Sequence, residues 1–187
     1  MSKLKVVLFC SRNKDNKHLP HFKERKVSFL SSKSIEDLMS DFNSFASKGL
    51  IDEMSRFYIS VNSRDNNKIR KALLHDLIDK EDSDMSKVEQ RIASIASKKE
   101  NAYENKWLFD FDEDDSMIGE FLDDVRGYLP NDVETTLHVT PNGHAIVVDR
   151  GFDTRELLAK WKNVELKRDD MLCVSWTTKV REEATIK

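Results

Sequence analysis

Asn142-Gly143 stands between two runs in which apolar and polar residues alternate, TTLHVT before it and HAIVV after it. This dipeptide in this setting predicts a β-hairpin and commits this part of the chain to antiparallel pairing. With Asn142 and Gly143 as the two turn residues, Pro141 faces His144 and Thr140 faces Ala145. Leu137, Val139, His144, Ile146 and Val148 then share one face, expected to be core with His144 at its rim. Thr136, His138, Thr140, Ala145, Val147 and Asp149 share the other, a polar face able to carry a site.

The run WLFDFD predicts a strand over 107–112. Side chains on a strand alternate, so Trp107, Phe109 and Phe111 point one way and Leu108, Asp110 and Asp112 the other. Two carboxylates so close repel each other unless something neutralises them. A divalent cation such as Mg²⁺ or Mn²⁺ does so, because hard cations prefer oxygen ligands. Such an ion also holds phosphates and stabilises in-line phosphoryl transfer. The alternative is a strand end running into a solvated acidic loop, since Glu113, Asp114 and Asp115 continue the run.

Elsewhere the pattern alternates between strand and helix. LKVVLFC, KVSFL, RFYISVN, NVELK and MLCVSW read as strands, and SRNKDNKHLPHFKER as a polar loop. Ser34 with Asp37 has the form of a capping box opening a helix with Ile35, Leu38, Met39, Phe42 and Phe45 on one face. Helical spacing recurs at Ile69, Leu73, Leu74, Leu77 and Ile78, at Val88, Ile92, Ile95 and Ala96, and at Met117, Ile118, Phe121, Leu122 and Val125. KEDSD interrupts the second pattern, a short helix follows Asp153 or Thr154, and the tail KVREEATIK is expected to fray. The order predicts an α+β fold around a mixed or antiparallel sheet with flanking helices. We expect one domain over 1–187, with a core over roughly 56–179 and an N-terminal strand and helix extension over 1–50.

Composition narrows the function. With 31 Lys and Arg against 34 Asp and Glu, a general basic coat for nucleic acid is excluded, while a local basic groove is not. Two distant cysteines without a CxxC pair suit reduced thiols in a cytoplasmic setting. No run approaches the roughly 20 apolar residues of a membrane span. Neither glycine-rich phosphate loop is present. Arg150 and Arg155 flank GFDT and suit a phosphate clamp or a helix-start ion pair with Asp153. Asn62 and Arg64, at a strand end, suit nucleotide contact or turn chemistry.

WLFDFD, about thirty residues, then VTPNGHAIVV resembles the archaeo-eukaryotic primase superfamily, including its small phage and plasmid primase-polymerases. FYISVNSR is similar to the strand that precedes that family's metal motif, and CVSWTTK to its late polar strand ending in lysine. The resemblance covers roughly 56–179. It implies a primase-like (RRM-like) core and metal-dependent nucleotidyl or phosphodiester transfer on nucleotides or nucleic acid. It implies Mg²⁺ or Mn²⁺ at Asp110 and Asp112, with Asp149, Asp169 or Asp170 as a third acid. Thr140 and Asn142 in the hairpin, with Arg150, Arg155, Asn62 and Arg64, would bind nucleotide phosphate. The implied partners are a nucleotide or nucleic acid, and a host or phage replication protein, in the host cytoplasm and away from membrane. The family's hairpin histidine falls on Ala145 here. His144 lies one residue earlier, on the opposite face, and His138 is the other candidate for its role. A catalytically inactive relative, acting as a phage accessory or host-takeover binding factor, fits the same departures.

Overall fold

The computed structural model describes residues 3–80 and 84–180. Part of KEDSD and most of the tail KVREEATIK lie outside them. The described residues form an α+β fold with two four-stranded antiparallel sheets rather than one.

The first sheet has the order β2 (Arg25–Ser31), β1 (Lys5–Ser11), β3 (Met54–Ser60), β8 (Met171–Thr178). The segment expected as an extension is therefore integral: β1 lies at the centre, hydrogen-bonded to both β2 and β3. Alternation along β1 and β3 sends Val7, Phe9 and Phe57 to one face, under α1 (Ile35–Ser47). Phe42 and Phe57 are fully buried there, Phe9 packs edge-on to Phe57, and Leu38 and Phe45 complete the cluster. Ser34 caps α1 in the expected box, accepting from the Asp37 amide while Asp37 accepts from the Ser34 amide.

Two further helices, α2 (Asn66–Asp79) and α3 (Val88–Ala96), pack Ile69, Ala93, Ile95 and Ala96 against Val6. Leu74 and Ile78, expected on the buried stripe of α2, are exposed, because contact with the sheet is made through Ile69 nearer the helix start.

The second sheet has the order β5 (Thr135–Thr140), β6 (Gly143–Val148), β4 (Trp107–Phe111), β7 (Val164–Lys167). Phe109 and Phe111 turn under α4 (Ile118–Tyr128) and α5 (Arg155–Lys160), meeting Phe121, Val125, Leu157 and Trp161. Trp161 is buried apart from an Nε1 that donates to Asp124 Oδ2 at 2.7 Å, which satisfies its one polar atom.

The hairpin forms with a shifted register. Thr140 pairs with Gly143, Val139 with His144 and His138 with Ala145, so the turn residues are Pro141 and Asn142. Proline dictates the shift. The pair closing a two-residue hairpin exchanges two N–H···O bonds, and proline has no N–H to give. At the first turn position its fixed φ is an asset instead. The shift is even in effect, so the two faces keep their expected membership. Gly143 adopts φ 154°, and a Cβ there would meet the Phe111 carbonyl oxygen at 2.7 Å, so only glycine lets β6 approach β4 at this end.

The sheets meet through Leu108, Ala145 and Val147 of the second and Val61 and Leu172 near the end of the first. The face of β6 expected to be polar is thus partly apolar and buried between sheets. Beyond this contact, towards Asp110 and Asp112, the sheets part and leave a cleft. Among the described residues no helix is long and apolar enough to cross a membrane.

Candidate active site

The end of β4 supplies the first group of the cleft. Asp110 stands between Ala145 of β6 and Glu165 of β7, with His138 of β5 in the same cross-sheet row. Asp110 is half-buried and Asp112 exposed, and both line a cleft of about 440 Å³ between the sheets. Thr140 and Asn142, from the hairpin turn, line it as well.

The strand β7 brings in what the linear motif does not show. Lys167 Nζ donates to Asp110 Oδ2 at 2.8 Å and lies 3.6 Å from Glu165 Oε2 and 3.8 Å from Asp170 Oδ2. Burial pulls the Lys167 pKa down, but the hydrogen bond and charge of Asp110, with Asp170 and Glu165, outweigh it and leave the ammonium above its ordinary range. This wall therefore carries four carboxylates, Asp110, Asp112, Glu165 and Asp170, and one cation.

The opposite wall comes from the first sheet and the loop after β1. Arg12, Lys14, Arg56 and Tyr58 line it. Asp15 accepts from Arg12 Nε at 2.9 Å and from Arg56 Nη2 at 2.6 Å, a carboxylate held by two guanidiniums. Burial would raise the Asp15 pKa, and these two arginines more than reverse it. Asn16 anchors the loop: it is buried, donates to the Met54 carbonyl at 3.0 Å and accepts from the Met54 amide at 2.7 Å. Arg12 lies 5.9 Å from the Tyr58 ring, within cation–π range. Cys10 and Cys173 also line the cleft, and burial pushes both thiols up to about 11, so they remain protonated and inert.

Several expected site residues lie elsewhere. His144 sits opposite Phe111, on the helix-covered face, with Nδ1 3.2 Å from Asp115 Oδ1. No bulge turns it towards Asp110, so it does not join the carboxylates. His138 is on the cleft side but two strands from Asp110, roughly 10 Å at the usual strand spacing. Its Nε2 is 3.2 Å from Thr136 Oγ1, and burial lowers its pKa. Asp149 pairs with Lys106 Nζ at 2.7 Å. Because β6 runs antiparallel to β4, the end of β6 lies beside the start of β4, at the far side from Asp110. Arg150 follows it at that remote end and is exposed. Arg155 Nε donates to Asp153 at 2.9 Å, the helix-start pair.

Asn62 and Arg64 are internal. Asn62 accepts from the Lys106 amide at 2.7 Å and donates to the Lys106 carbonyl and to Asp169 Oδ1, each at 3.0 Å. Arg64 meets the two oxygens of Asp169 at 2.8 and 3.0 Å, with both side chains buried. This network ties the end of β3 to the entry of β4 and to the turn between β7 and β8, and so holds the two sheets in register at the closed end of the cleft.

Of the three acids expected as a third ligand, Asp170 reaches the cleft, Asp169 is used by Arg64 and Asp149 lies at the far end; Glu165, which the sequence does not single out, stands directly across from Asp110. Among the described residues no three His, Cys, Asp or Glu side chains converge closely enough to hold a metal by themselves. A wider groove of about 770 Å³ opens between β2 and α1, but none of the cleft carboxylates lines it. Comparison of the chain with profiles of known protein families, with curated proteins and with solved structures finds no match.

Proposed function

We propose that this chain is a primase-like protein that binds a nucleotide or nucleic-acid phosphate in the cleft and performs divalent-metal-dependent nucleotidyl or phosphodiester transfer. One observation carries the reading: the carboxylates Asp110 and Asp112 face a wall of Arg12, Lys14 and Arg56 across a cleft of about 440 Å³. A volume of this order suits a small ligand. The charge segregation suits one that presents phosphates to one side and metal-bound oxygens to the other.

Asp110 and Asp112 fit Mg²⁺ or Mn²⁺. Such an ion retains waters and takes further oxygens from substrate phosphates, so one or two carboxylates suffice. When bound, it neutralises charge on the transferring phosphoryl group. The chain's own residues do the rest. Arg12 and Arg56 are preset by Asp15, so their guanidiniums lose little freedom when they meet a phosphate. Lys14 adds a point charge at the rim. Thr140 and Asn142 offer hydrogen-bonding groups from the hairpin turn. Leu108, Ala145 and Leu172 add an apolar patch to the lining of the cleft.

Incubation with Mn²⁺ or Mg²⁺, nucleoside triphosphates and a single-stranded template tests the activity. Product formation with pyrophosphate release, lost in Asp110→Ala, is the expected result. Product that persists in Asp110→Ala removes the assignment. A second reading, a non-catalytic binding factor of the same fold, is favoured by the placement of His144 on the helix-covered face. It predicts nucleotide binding without product.

A further inference from the structure

Among the described residues, Lys167 is the one cation on this wall of four carboxylates, and its ammonium lies 2.8, 3.6 and 3.8 Å from Asp110, Glu165 and Asp170. We propose that Lys167 is a built-in counter-cation that holds the metal position in the resting cleft, so that the divalent ion enters only together with a phosphate ligand. The inference rests on the reading of Asp110 and Asp112 as the metal site and names what controls entry to it.

Asp110 is half-buried, and a half-buried carboxylate beside Asp112, Glu165 and Asp170 needs a positive charge nearby. Lys167 supplies it from β7, two residues beyond Glu165 and on the same face of the strand. Its side chain is 26 % exposed, against 72 % for Glu165, so the ammonium lies deeper than the acid it shares a strand face with. A divalent ion that binds Asp110 Oδ2 must displace the ammonium from that oxygen. The displaced ammonium, on a flexible stem, then needs an anion. The phosphate of an incoming ligand, whose other oxygens meet Arg12 and Arg56, is the one this cleft is built to admit. Metal and phosphate therefore favour each other's binding, a coupling that is reciprocal by linkage.

The test is a calorimetric titration of Mn²⁺ alone, without nucleotide, into the full chain and into Lys167→Met and Lys167→Arg, each checked for native unfolding behaviour. Lys167→Met keeps the stem and removes the charge, and should bind Mn²⁺ at least 10-fold tighter than the unchanged protein. Lys167→Arg keeps the charge and should bind Mn²⁺ as weakly as the unchanged protein. The gain should vanish in the double variant Lys167→Met, Asp110→Asn, which locates the ion. A Lys167→Met variant that binds Mn²⁺ no tighter overturns the inference, as does a gain that survives Asp110→Asn. Failure of the parent reading looks different. If Lys167→Met gains Mn²⁺ affinity but no nucleotide binds with or without metal, the counter-cation role stands, while the coupling to phosphate and the transferase assignment both fall. If metal-dependent nucleotide binding is present but insensitive to Lys167→Met, the reverse holds.

Discussion

Two polar clusters lie between the same pair of sheets, one tying them together and the other lining the gap where they part. At the closed end, Asn62, Arg64 and Asp169 are buried, pair in two-pronged geometry and bond to the backbone of Lys106. At the open end, Asp110, Glu165 and Asp170 share the Lys167 ammonium, Asp112 stands beside them, and Arg12, Lys14 and Arg56 line the opposite wall. Both clusters combine Asp with Arg or Lys at strand ends, so residue type does not separate them. What separates them is whether the charges pair across the two sheets, as Arg64 and Asp169 do, or only within one wall, as Lys167 with Asp110 and Arg56 with Asp15 do. The closed cluster uses its hydrogen bonds to hold the sheets together, whereas the open one uses them within each wall, Lys167 on Asp110 and Asp15 on Arg12 and Arg56, and none across the gap is formed between these groups.

The contrast can be broken by mutation. The largest expected effect on stability is from Arg64→Ala or Asp169→Ala. Each leaves a buried charge without its partner, at a cost of about 3–5 kcal/mol. Urea unfolding should show it, and a loss below about 1 kcal/mol would mean that the closed end is not what clamps the sheets.

Acid should act next, and again on the closed end. Burial favours protonation of Glu104, but the Lys3 ammonium and the Ser63 amide and hydroxyl outweigh it and hold its pKa at about 2 instead of 4.5. A carboxyl whose folded pKa is depressed contributes stability above its unfolded pKa and loses it as pH falls through the folded value. Stability should therefore decline from about 4.5 towards 2, and Glu104→Gln should flatten that part of the profile. An unchanged slope in Glu104→Gln would reassign the acid sensitivity.

Asp110→Asn should barely alter stability, by less than about 1 kcal/mol, because its pair with Lys167 is partly solvated. It should nonetheless abolish metal-dependent nucleotide binding. The smallest effects belong to His144→Ala and Arg155→Ala, which should leave nucleotide binding unchanged. One faces the helix layer and the other pairs with Asp153 in solvent. Loss of binding in His144→Ala would show that the cleft is read with the wrong face of β6.

Much of this was legible in the sequence where the signal is local. The alternation in WLFDFD put Phe109 and Phe111 in the core and Asp110 and Asp112 together, and Ser34 with Asp37 marked a helix start. Which hairpin residues share a face was readable, but not which are buried. Leu137 and Val139, expected in the core, are exposed on the outer strand. Ala145 and Val147 are buried between the sheets, and Pro141 moved the register by excluding itself from the closing pair. What was not readable was strand adjacency. Nothing local in VELK says that it lies beside β4 and delivers Glu165 and Lys167 to Asp110. Nor does SRNKDNK announce that Arg12 and Lys14 close the cleft, since a loop takes its meaning from what it is anchored against, here Met54 through Asn16. Asp149 is the converse. Antiparallel pairing of β6 with β4 alone carries it to the strand end opposite Asp110.

Calorimetric titration of a nucleoside triphosphate with Mn²⁺ into the unchanged protein, Asp112→Ala and Arg12→Ala tests most directly whether the two walls act as one site. The account predicts saturable heat in the unchanged protein and its loss in both variants, with folding intact. Heat of equal size in either variant, or none in the unchanged protein, contradicts it.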